Sequence, residues 1–395
     1  MPLAPVMILE GNSRTTLGVV RSLGRRGIPI FLGSSERLPK SGVSRYVTRR
    51  FAYPSGEAGD AAMHEAIMRH VQAWRPAVLM PAGGDEEWST IYRHEAEYAA
   101  VTRIVPTPSW HQFSRLEQDK EYLYQLATEH GVAIPATFVT RTLEEALALR
   151  DGLPYPVVVK PRRGAAGMGV LKVDEARALS ALLNPGEVPP LIQECLDGEE
   201  IELTILCAHG EPLAASVYQT LRHFPIPYGP PTACVTVRDD RLIGETIRFM
   251  RRLAYHGVAH MDFIRDRRDG VAKLIDFNPA LTGTNDISLA SGVDFAWKLY
   301  RLALGERVEP GFACEEGVEY RWLLYGEFLH LLGTPHKLHT LRTMWPRRRV
   351  RTNVSLSDPL PHLTEGITMT RRHVARWWTG RKQERRPRLG AAEPT

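Results

Sequence analysis

The chain has 395 residues, of which 43% are apolar and 24% charged, and its formal net charge is +5. This composition is ordinary for a globular protein and excludes an intrinsically disordered chain, and the length predicts two or three domains. The apolar runs are only as long as strands, which argues against a membrane span. Four cysteines without paired spacing, and an N-terminus without a basic signal region, predict a reduced, cytoplasmic protein.

The positive charge is concentrated at the C-terminus. Residues 341–395 carry 13 Lys and Arg against four Asp and Glu, so the remainder of the chain is mildly acidic. Basic tails bind RNA, membrane phosphates or acidic partners, but most are solvated chain ends. The arginine clusters lack interleaved aromatic residues beyond Trp377 and Trp378, which argues against nucleic-acid binding. We therefore predict that residues 311–395 form a helical extension with a basic tail that need not be ordered.

Strand and helix patterns alternate in the first part of the chain. The strand patterns lie at residues 6–10, 28–32 and 77–80, and a helical pattern lies at residues 15–26. Such alternation predicts a Rossmann-like parallel sheet, in which ligands bind at the carboxyl ends of the strands. Arg14 and Glu86 lie in loops that follow two of these strands, so both are candidate substrate-binding residues, although a solvated Arg14 is an equal alternative. Neither loop has the three glycines of a dinucleotide fingerprint, which argues against a nicotinamide dehydrogenase.

After residue 113 the pattern changes to a helix followed by strands in antiparallel style. Strand patterns lie at residues 156–160, 170–173, 191–195, 201–208, 212–221, 232–238, 257–265 and 271–277. Helical patterns lie at residues 117–130 and 241–256. The sequence therefore predicts a second domain of a different architecture.

The last two strand patterns form a predicted hairpin. A register centred on the turn between them places Asp262 opposite Asp276, and His260 and Asn278 share that face because side chains alternate along a strand. Opposed carboxylates destabilise a strand pair unless a cation compensates them, and Mg²⁺ is the divalent ion that prefers such oxygen ligands. The equal alternative is that one aspartate faces solvent or pairs with an arginine of the turn.

A glycine-rich loop follows the strand that ends at Lys160. It contains Gly164, Gly167 and Gly169 among small residues. The backbone N–H groups of such a loop can approach phosphate oxygens, while the lysine adds a positive charge. The loop lacks the terminal Gly-Lys-Ser/Thr of a P-loop, so a plain glycine-rich hairpin is the alternative.

Two further features are ambiguous by themselves. Glu202 lies inside an apolar run, where an acidic residue suits a pair of ribose hydroxyls, whereas acidic residues just past a turn are usually solvated. Lys120 lies on the helix that precedes Lys160, and nothing local separates a functional lysine from a solvated one.

Taken in order, these features resemble the ATP-grasp superfamily. The matching order is a helix lysine, a strand-end lysine, a glycine-rich loop, a Gln-Glu-x-Leu segment and a closing Asp-Phe-Asn-Pro, within residues 117–305. The chain looks closest to the carbamoyl-phosphate-synthetase-like carboxylate–amine ligases, a group that includes D-aspartate ligases. The resemblance implies an α/β and α+β architecture: a Rossmann-like domain at residues 1–113, then an ATP-grasp domain at residues 114–310. Its lid would cover about 117–195 and its C-terminal subdomain about 196–310.

The resemblance also implies a role for each residue. It assigns the ATP phosphates to Lys120, Lys160 and the loop of Gly164, Gly167 and Gly169, adenine to Glu194, Cys195 and Leu196, ribose to Glu202, and Mg²⁺ to Asp262, Asp276 and Asn278. Two Mg²⁺ ions are expected, with Mn²⁺ as the alternative ion. Relatives have glutamate at both aspartate positions, and arginine where this chain has Ala280. We therefore expect Arg222 or His260 to offset charge at the transferred phosphoryl group.

The function implied is an ATP-dependent ligase that joins a carboxylate to an amine through an acyl phosphate, releasing ADP and phosphate. The expected partners are an amino acid or other small carboxylate and an amine, with no membrane or nucleic acid, and a homodimer is left open. No Ser-His-Asp or Cys-His pair is evident, as expected where positioning and electrostatics dominate catalysis. Two alternatives stay open: an ATP-binding sensor or partner without ligase activity, and a carboxylase or carboxyl kinase with a non-amine acceptor.

Overall fold

The computed structural model describes residues 3–56, 59–162, 169–184, 188–226, 229–345 and 349–364. Gly164 and Gly167 of the predicted phosphate loop, and most of the basic tail, lie outside these ranges. The described residues form three sheets with helices packed on them.

The first sheet is parallel and built from short strands, of which the three central ones are buried. Its strands are β1 (Val6–Leu9), β2 (Ile30–Ser34), β3 (Val47–Ala52), β4 (Val78–Pro81) and β5 (Arg103–Ile104). The helices between them are α1 (Arg14–Gly24), α2 (Asp60–Trp74), α3 (Asp85–Arg93) and α4 (Glu95–Ala99). The strand order is β3-β2-β1-β4-β5, so the order reverses between β1 and β4, where doubly wound sheets bind ligands. The predicted parallel-sheet architecture is confirmed.

The second sheet is a small antiparallel one with its own core. Two helices precede it, α5 (Trp110–Gln118) and α6 (Lys120–Glu129). Its elements are β6 (Thr137–Phe138), α7 (Leu143–Leu149), β7 (Val157–Lys160), β8 (Leu171–Val173), α8 (Ala176–Ser180) and β9 (Leu191–Glu194). The strand order is β6-β9-β7-β8. Val157, Leu179 and Ile192 lie in its separate apolar core.

The third sheet has seven strands and is the largest. Its strands are β10 (Gly198–Ala208), β11 (Glu211–His223), β12 (Pro231–Thr236), β13 (Gly257–Asp266), β14 (Ala272–Asn278), β15 (Glu319–Arg321) and β16 (Val350–Thr352). The accompanying helices are α9 (Asp240–Arg252), α10 (Asn285–Ala290), α11 (Phe295–Ala303), α12 (Phe328–Gly333) and α13 (Lys337–Met344). The order is β14-β13-β10-β11-β12-β15-β16, and all pairs are antiparallel except β15 with β16.

The two faces of this central sheet differ in polarity because side chains alternate along each strand. Leu203, Met261 and Phe277 point into an apolar core that α6 and α9 cover. The residues between them, such as Glu202 and Asp262, point to the opposite face. The alternation therefore collects the polar side chains of several strands on one face.

The segment after residue 311 is not wholly helical, in contrast to the expectation from sequence. β15 pairs with β12, because the outer edge of β12 offers unpaired backbone groups, and β16 extends the sheet. The segment also reaches the first domain, where Arg21 of α1 donates from Nε to Asp358 Oδ2 at 3.0 Å. Both side chains are buried, so this ion pair fixes the C-terminal segment on α1.

No helix within the described ranges is long and apolar enough to cross a membrane. The four cysteines, Cys195, Cys207, Cys234 and Cys314, are free thiols, as their spacing in the sequence predicts.

Candidate active site

A row of three carboxylates crosses the polar face of the central sheet. Asp262 of β13 pairs with Asp276 of β14, and His260 pairs with Asn278, as predicted, although a β-bulge after Asp262 shifts the pairing by one residue nearer the turn. On the other side of β13, Asp262 pairs with Glu202 of β10. Neighbouring strands lie about 4.8 Å apart. Glu202, Asp262 and Asp276, hereafter the carboxylate row, therefore occupy adjacent positions on three adjacent strands.

Two cations compensate the row. Lys120 donates from Nζ to Asp276 Oδ1. His260 Nε2 lies 2.9 Å from Asp262 Oδ1 and 3.2 Å from Glu202 Oε2. Burial by itself lowers the pKa of His260, but Asp262 and Glu202 reverse this effect and raise the pKa to about 10. The imidazolium and the ammonium group thus offset the repulsion that opposed carboxylates would otherwise suffer.

The row fits a divalent cation by the chemistry of its donors. Its carboxylates, with the amide of Asn278 beside them, are the oxygen ligands that Mg²⁺ prefers. Burial raises the pKa of Asp262, and the charges of Glu202 and Asp276 add to this rise, whereas His260 opposes it. A bound divalent ion would relieve the same repulsion.

Lys160 lies at the end of β7, next to the row. Its Nζ donates to the hydroxyl of Tyr124 at 3.2 Å and to the carbonyl of Ile275 at 3.5 Å. Burial lowers the pKa of Lys160 to about 8, an effect that Asp276 opposes and Lys120 reinforces. The structure therefore brings the two predicted lysines together beside the carboxylates, although they are 40 positions apart in the chain.

The predicted phosphate loop is described only at its ends. Gly169 has a φ of 74°, a left-handed conformation that glycine adopts at little cost. A Cβ on Gly169 would come within 2.7 Å of Pro161 Cγ, so the residue also needs to be small. The roles assigned to Gly164 and Gly167 lie outside the described residues.

The predicted adenine segment joins β9 of the lid to β10 of the central sheet. The Glu194 carboxylate accepts from the backbone N–H of Ala136 at 2.9 Å and pairs with Lys273 at 3.2 Å. Burial raises the pKa of Glu194, but hydrogen bonds from Arg268, Ala136 and Lys273 lower it overall. The side chain of Glu194 thus fixes the segment that also contains the half-buried Cys195 and Leu196. The backbone of this segment stays the predicted contact for adenine.

Glu202 lies within the carboxylate row, and Thr220 donates to its Oε1. The sequence reasoning did not anticipate that this residue touches His260. It also missed Glu200, two positions earlier on the same face, whose carboxylate lies 2.7 Å from His223 Nε2. Because side chains alternate along a strand, the spacing of two residues between Glu200 and Glu202 could have predicted that both lie on the same face of β10. The ribose contact of Glu202 stays a prediction.

Arg222 is not brought to the row. It lies four residues beyond Tyr218, the partner of Glu202 on β11, which corresponds to about 13 Å along the strand. Its guanidinium pairs with Glu327 at 2.6 Å and with Glu319 at 3.6 Å. Arg222 is therefore engaged with the C-terminal segment, whereas the other candidate for offsetting phosphoryl charge, His260, contacts the row directly.

The two candidate residues of the first domain occupy different environments. Glu86 is exposed, and its Oε2 accepts from the backbone N–H of Gly56 at 2.8 Å. Arg14, at the first turn of α1, reaches the central sheet and donates from Nη1 to the carbonyl of Pro231 on β12 at 2.9 Å. Of these two, only Arg14 has such a contact with the sheet that carries the carboxylate row.

Glu117 is a buried acid that the sequence reasoning missed. Its Oε2 has no hydrogen-bond partner among the described residues. Burial and Asp85 raise the pKa of Glu117 to about 8, whereas Lys120 lowers it. Asp85 opens α3 in the loop singled out after β4, but nothing local marks Glu117, because only the fold places it between Asp85 and Lys120.

The geometry agrees with a match to a known family. Residues 117–284 match the family model of the ATP-grasp domain, so this part of the chain is an ATP-grasp domain. The carbamoyl phosphate synthase large chain of Thermomicrobium roseum is 27% identical over 260 residues, which cover 62% of this chain and 23% of that protein. The chain spans about a quarter of the length of the first such relatives that it matches.

Solved structures share the fold over most of the chain. The biotin carboxylase domain of 2-oxoglutarate carboxylase from Hydrogenobacter thermophilus, in complex with MgADP, has a TM-score of 0.63 at 16% identity, covering 81% of this chain and 74% of that one. The L-amino acid ligase of Bacillus licheniformis has a TM-score of 0.58 at 17% identity, covering 77% and 75%. At these identities the likeness shows the fold alone, so function rests on the site.

Proposed function

We propose that the protein is an ATP- and Mg²⁺-dependent ligase that joins a small carboxylate to an amine through an acyl phosphate. The observation that carries this proposal is the carboxylate row, with Lys120 and Lys160 beside it, inside an ATP-grasp domain. Anionic ligands for a divalent ion next to a buried and a half-buried lysine are what a nucleoside triphosphate requires.

In this proposal Asp262, Asp276 and Asn278 hold Mg²⁺, with Glu202 at the end of the row. The bound ion would neutralise charge on the ATP phosphates. Lys120 now pairs with Asp276, so we expect its ammonium group to turn to a phosphate when a cation takes its place. Among the described residues Lys160 bonds to the neutral oxygens of Tyr124 and Ile275, so a bound phosphate would give it an anionic partner.

The proposed reaction has two steps. A carboxylate oxygen attacks the γ-phosphorus of ATP, the bond to the bridging oxygen of ADP breaks, and an acyl phosphate forms. The amine nitrogen then attacks the acyl carbon, the bond to the phosphate oxygen breaks, and the amine loses a proton. The cationic side chains stabilise the charge that develops on the transferred group, and a closed lid would keep water from the acyl phosphate.

The first test is ADP release by the purified full chain with ATP, Mg²⁺ and pooled amino acids. We expect ADP formation that depends on an added amine, and a product whose mass equals two substrates less one water. ADP release that needs no amine would favour the carboxylase or carboxyl-kinase alternative. Nucleotide binding without turnover across many carboxylates and amines would favour the sensor.

Glu202→Gln is the matched site variant, and Glu199→Gln on the opposite face of the same strand is its control. We expect turnover to fall only in the first. Equal activity in both variants would contradict a role for the carboxylate row.

A further inference from the structure

A second group of charges lies where α1 meets the central sheet. The guanidinium of Arg14 stacks on the ring of Trp322, with Cζ 4.1 Å from the ring centroid, and donates to the carbonyl of Pro231. Within the described ranges Arg14 forms no ion pair with a carboxylate. It is nevertheless half-buried, and burial lowers its pKa, an effect that Cys234 and Asp286 oppose.

Asp286, near the start of α10, is the complementary charge. Its Oδ2 accepts from the hydroxyl of Tyr320 at 3.2 Å, and it forms no ion pair among the residues that the structure describes. Burial raises the pKa of Asp286, and the charge of Arg14 opposes this rise more strongly than any other group. The two side chains therefore interact electrostatically without bonding to each other.

Their spacing follows from the packing of α1. Asp286 lies against Gly18, where a Cβ would overlap its Oδ1, and Gly18 is four residues after Arg14. Residues four apart share one helix face and are separated by about one turn, roughly 5.4 Å along the axis. Gly283 leaves room for the arginine, because a Cβ there would come within 2.9 Å of Arg14 Nε. Arg14 and the position that Asp286 contacts are thus about one helical turn apart along α1, and small residues leave room for both side chains.

This pair lies beside the proposed reaction centre. Arg14 is close enough to the central sheet for the charge of Glu202 to affect its pKa. Cys234 Sγ lies 3.6 Å from Thr220 Oγ1, and Thr220 donates to Glu202 of the carboxylate row. A small molecule held at Arg14 would thus be within a short distance of the row.

We propose that Arg14 and Asp286 bind the two charged groups of an α-amino acid, Arg14 its carboxylate and Asp286 its ammonium group. This inference rests on the proposed function, because it names the substrate class of the same site. Guanidinium binds carboxylate in a two-pronged fashion, and a carboxylate accepts from an ammonium group, so the two ends of a zwitterion are distinguished. A molecule with only one of these charges would leave one partner unsatisfied.

The test is saturation-transfer NMR on the full chain with Mg²⁺ and ADP. The probes are the common amino acids added singly, with acetate and methylammonium as probes that carry one charge each. We expect at least one amino acid to bind, and acetate and methylammonium to bind at least about tenfold more weakly. Equally tight acetate would reduce the site to one for carboxylates and overturn the role of Asp286.

Substitutions at Arg14 and Asp286 test the two proposed contacts with the amino acid separately. Arg14→Ala and Asp286→Asn should each raise the Kd of the amino acid at least about tenfold, and Arg14→Lys should recover part of the loss. Arg49→Ala is the matched control, because Arg49 also lies over aromatic rings in the first domain but is exposed. Unchanged amino-acid binding in Arg14→Ala would overturn the inference.

ADP binding distinguishes a failure of this inference from a failure of the proposed function. ADP binding, measured by calorimetry on the same samples, should be unchanged in every variant. If the wild-type chain binds ADP but no amino acid, this inference fails while the ATP site stands. If it binds no ADP, the proposed function itself fails.

Discussion

Binding of a nucleotide phosphate next to Lys160 should be accompanied by proton uptake. Because the pKa of Lys160 is lowered to about 8, mainly by burial, the free protein holds this side chain about half protonated at pH 8 and about nine-tenths protonated at pH 7. A phosphate beside the ammonium group favours its charged form and raises the pKa. We therefore expect Lys160 to take up about half a proton on binding MgADP at pH 8, and about a tenth at pH 7.

Calorimetry measures this uptake directly. At fixed pH, the observed binding enthalpy varies with the ionisation enthalpy of the buffer, and the slope gives the number of protons exchanged. Lys160→Arg keeps a positive charge that does not titrate in this range, so its slope at pH 8 should be smaller by about half a proton. Other groups, including the nucleotide, contribute equally to both proteins. An identical slope in the two proteins would refute the placement of Lys160 at the phosphates.

The same shift has a consequence for stability. A lysine whose folded pKa lies below its unfolded value of 10.5 costs stability when it is charged in the folded state. That cost is fully present below about pH 8 and disappears as the pH rises to 10.5. The wild-type chain should therefore gain stability relative to Lys160→Met over this interval.

Three further predictions test other parts of the molecule. Asp276→Asn should raise the Mg²⁺ concentration needed for ADP release and lower turnover by at least about 100-fold. Asp269→Asn, in the hairpin turn, is the control, and the same Mg²⁺ dependence of ADP release in both variants would contradict the metal site. Glu117→Gln should become more stable relative to the wild type as the pH rises from 4.5 to about 8, because the raised pKa of Glu117 makes its charged form costly in the folded protein. A difference in melting temperature between the two proteins that does not change with pH would refute this. Asp358→Asn should lower the free energy of unfolding, measured by urea titration, by about 3 kcal/mol, because it leaves Arg21 buried without its charge partner. A change of less than about 0.5 kcal/mol would show that the pair does not anchor the C-terminal segment.

Local sequence was sufficient for the hairpin at the centre of the site. The turn and the alternation along two strands fixed the pairing of Asp262 with Asp276 and of His260 with Asn278, and the structure has this register. Nearer the turn, however, a β-bulge pairs Phe263 with Leu274, a shift of one residue that the turn sequence did not predict. The alternating pattern of residues 1–113 likewise predicted the parallel sheet.

Local sequence could not place residues that meet across domains. Lys120 pairs with Asp276 from a helix, and Lys160 bonds to the carbonyl of the neighbouring Ile275 from another sheet. Arg222, which appeared suited to the same task, pairs with Glu327 instead. Asp286 and Glu117 carry no sequence signal, because a lone acid in a helix reads as a solvated side chain.

The sequence by itself thus determined many of the elements, the pairing of Asp262 with Asp276 and the order of features that resembles the ATP-grasp superfamily, because these depend on neighbours along the chain or on residue order. The tertiary structure alone decided which charges meet. It placed Glu202 next to the two aspartates, paired Arg222 with Glu327, and brought Asp286, which packs against Gly18, near Arg14. Charge pairing depends on distances of a few ångströms between segments far apart in sequence, and only packing sets those distances.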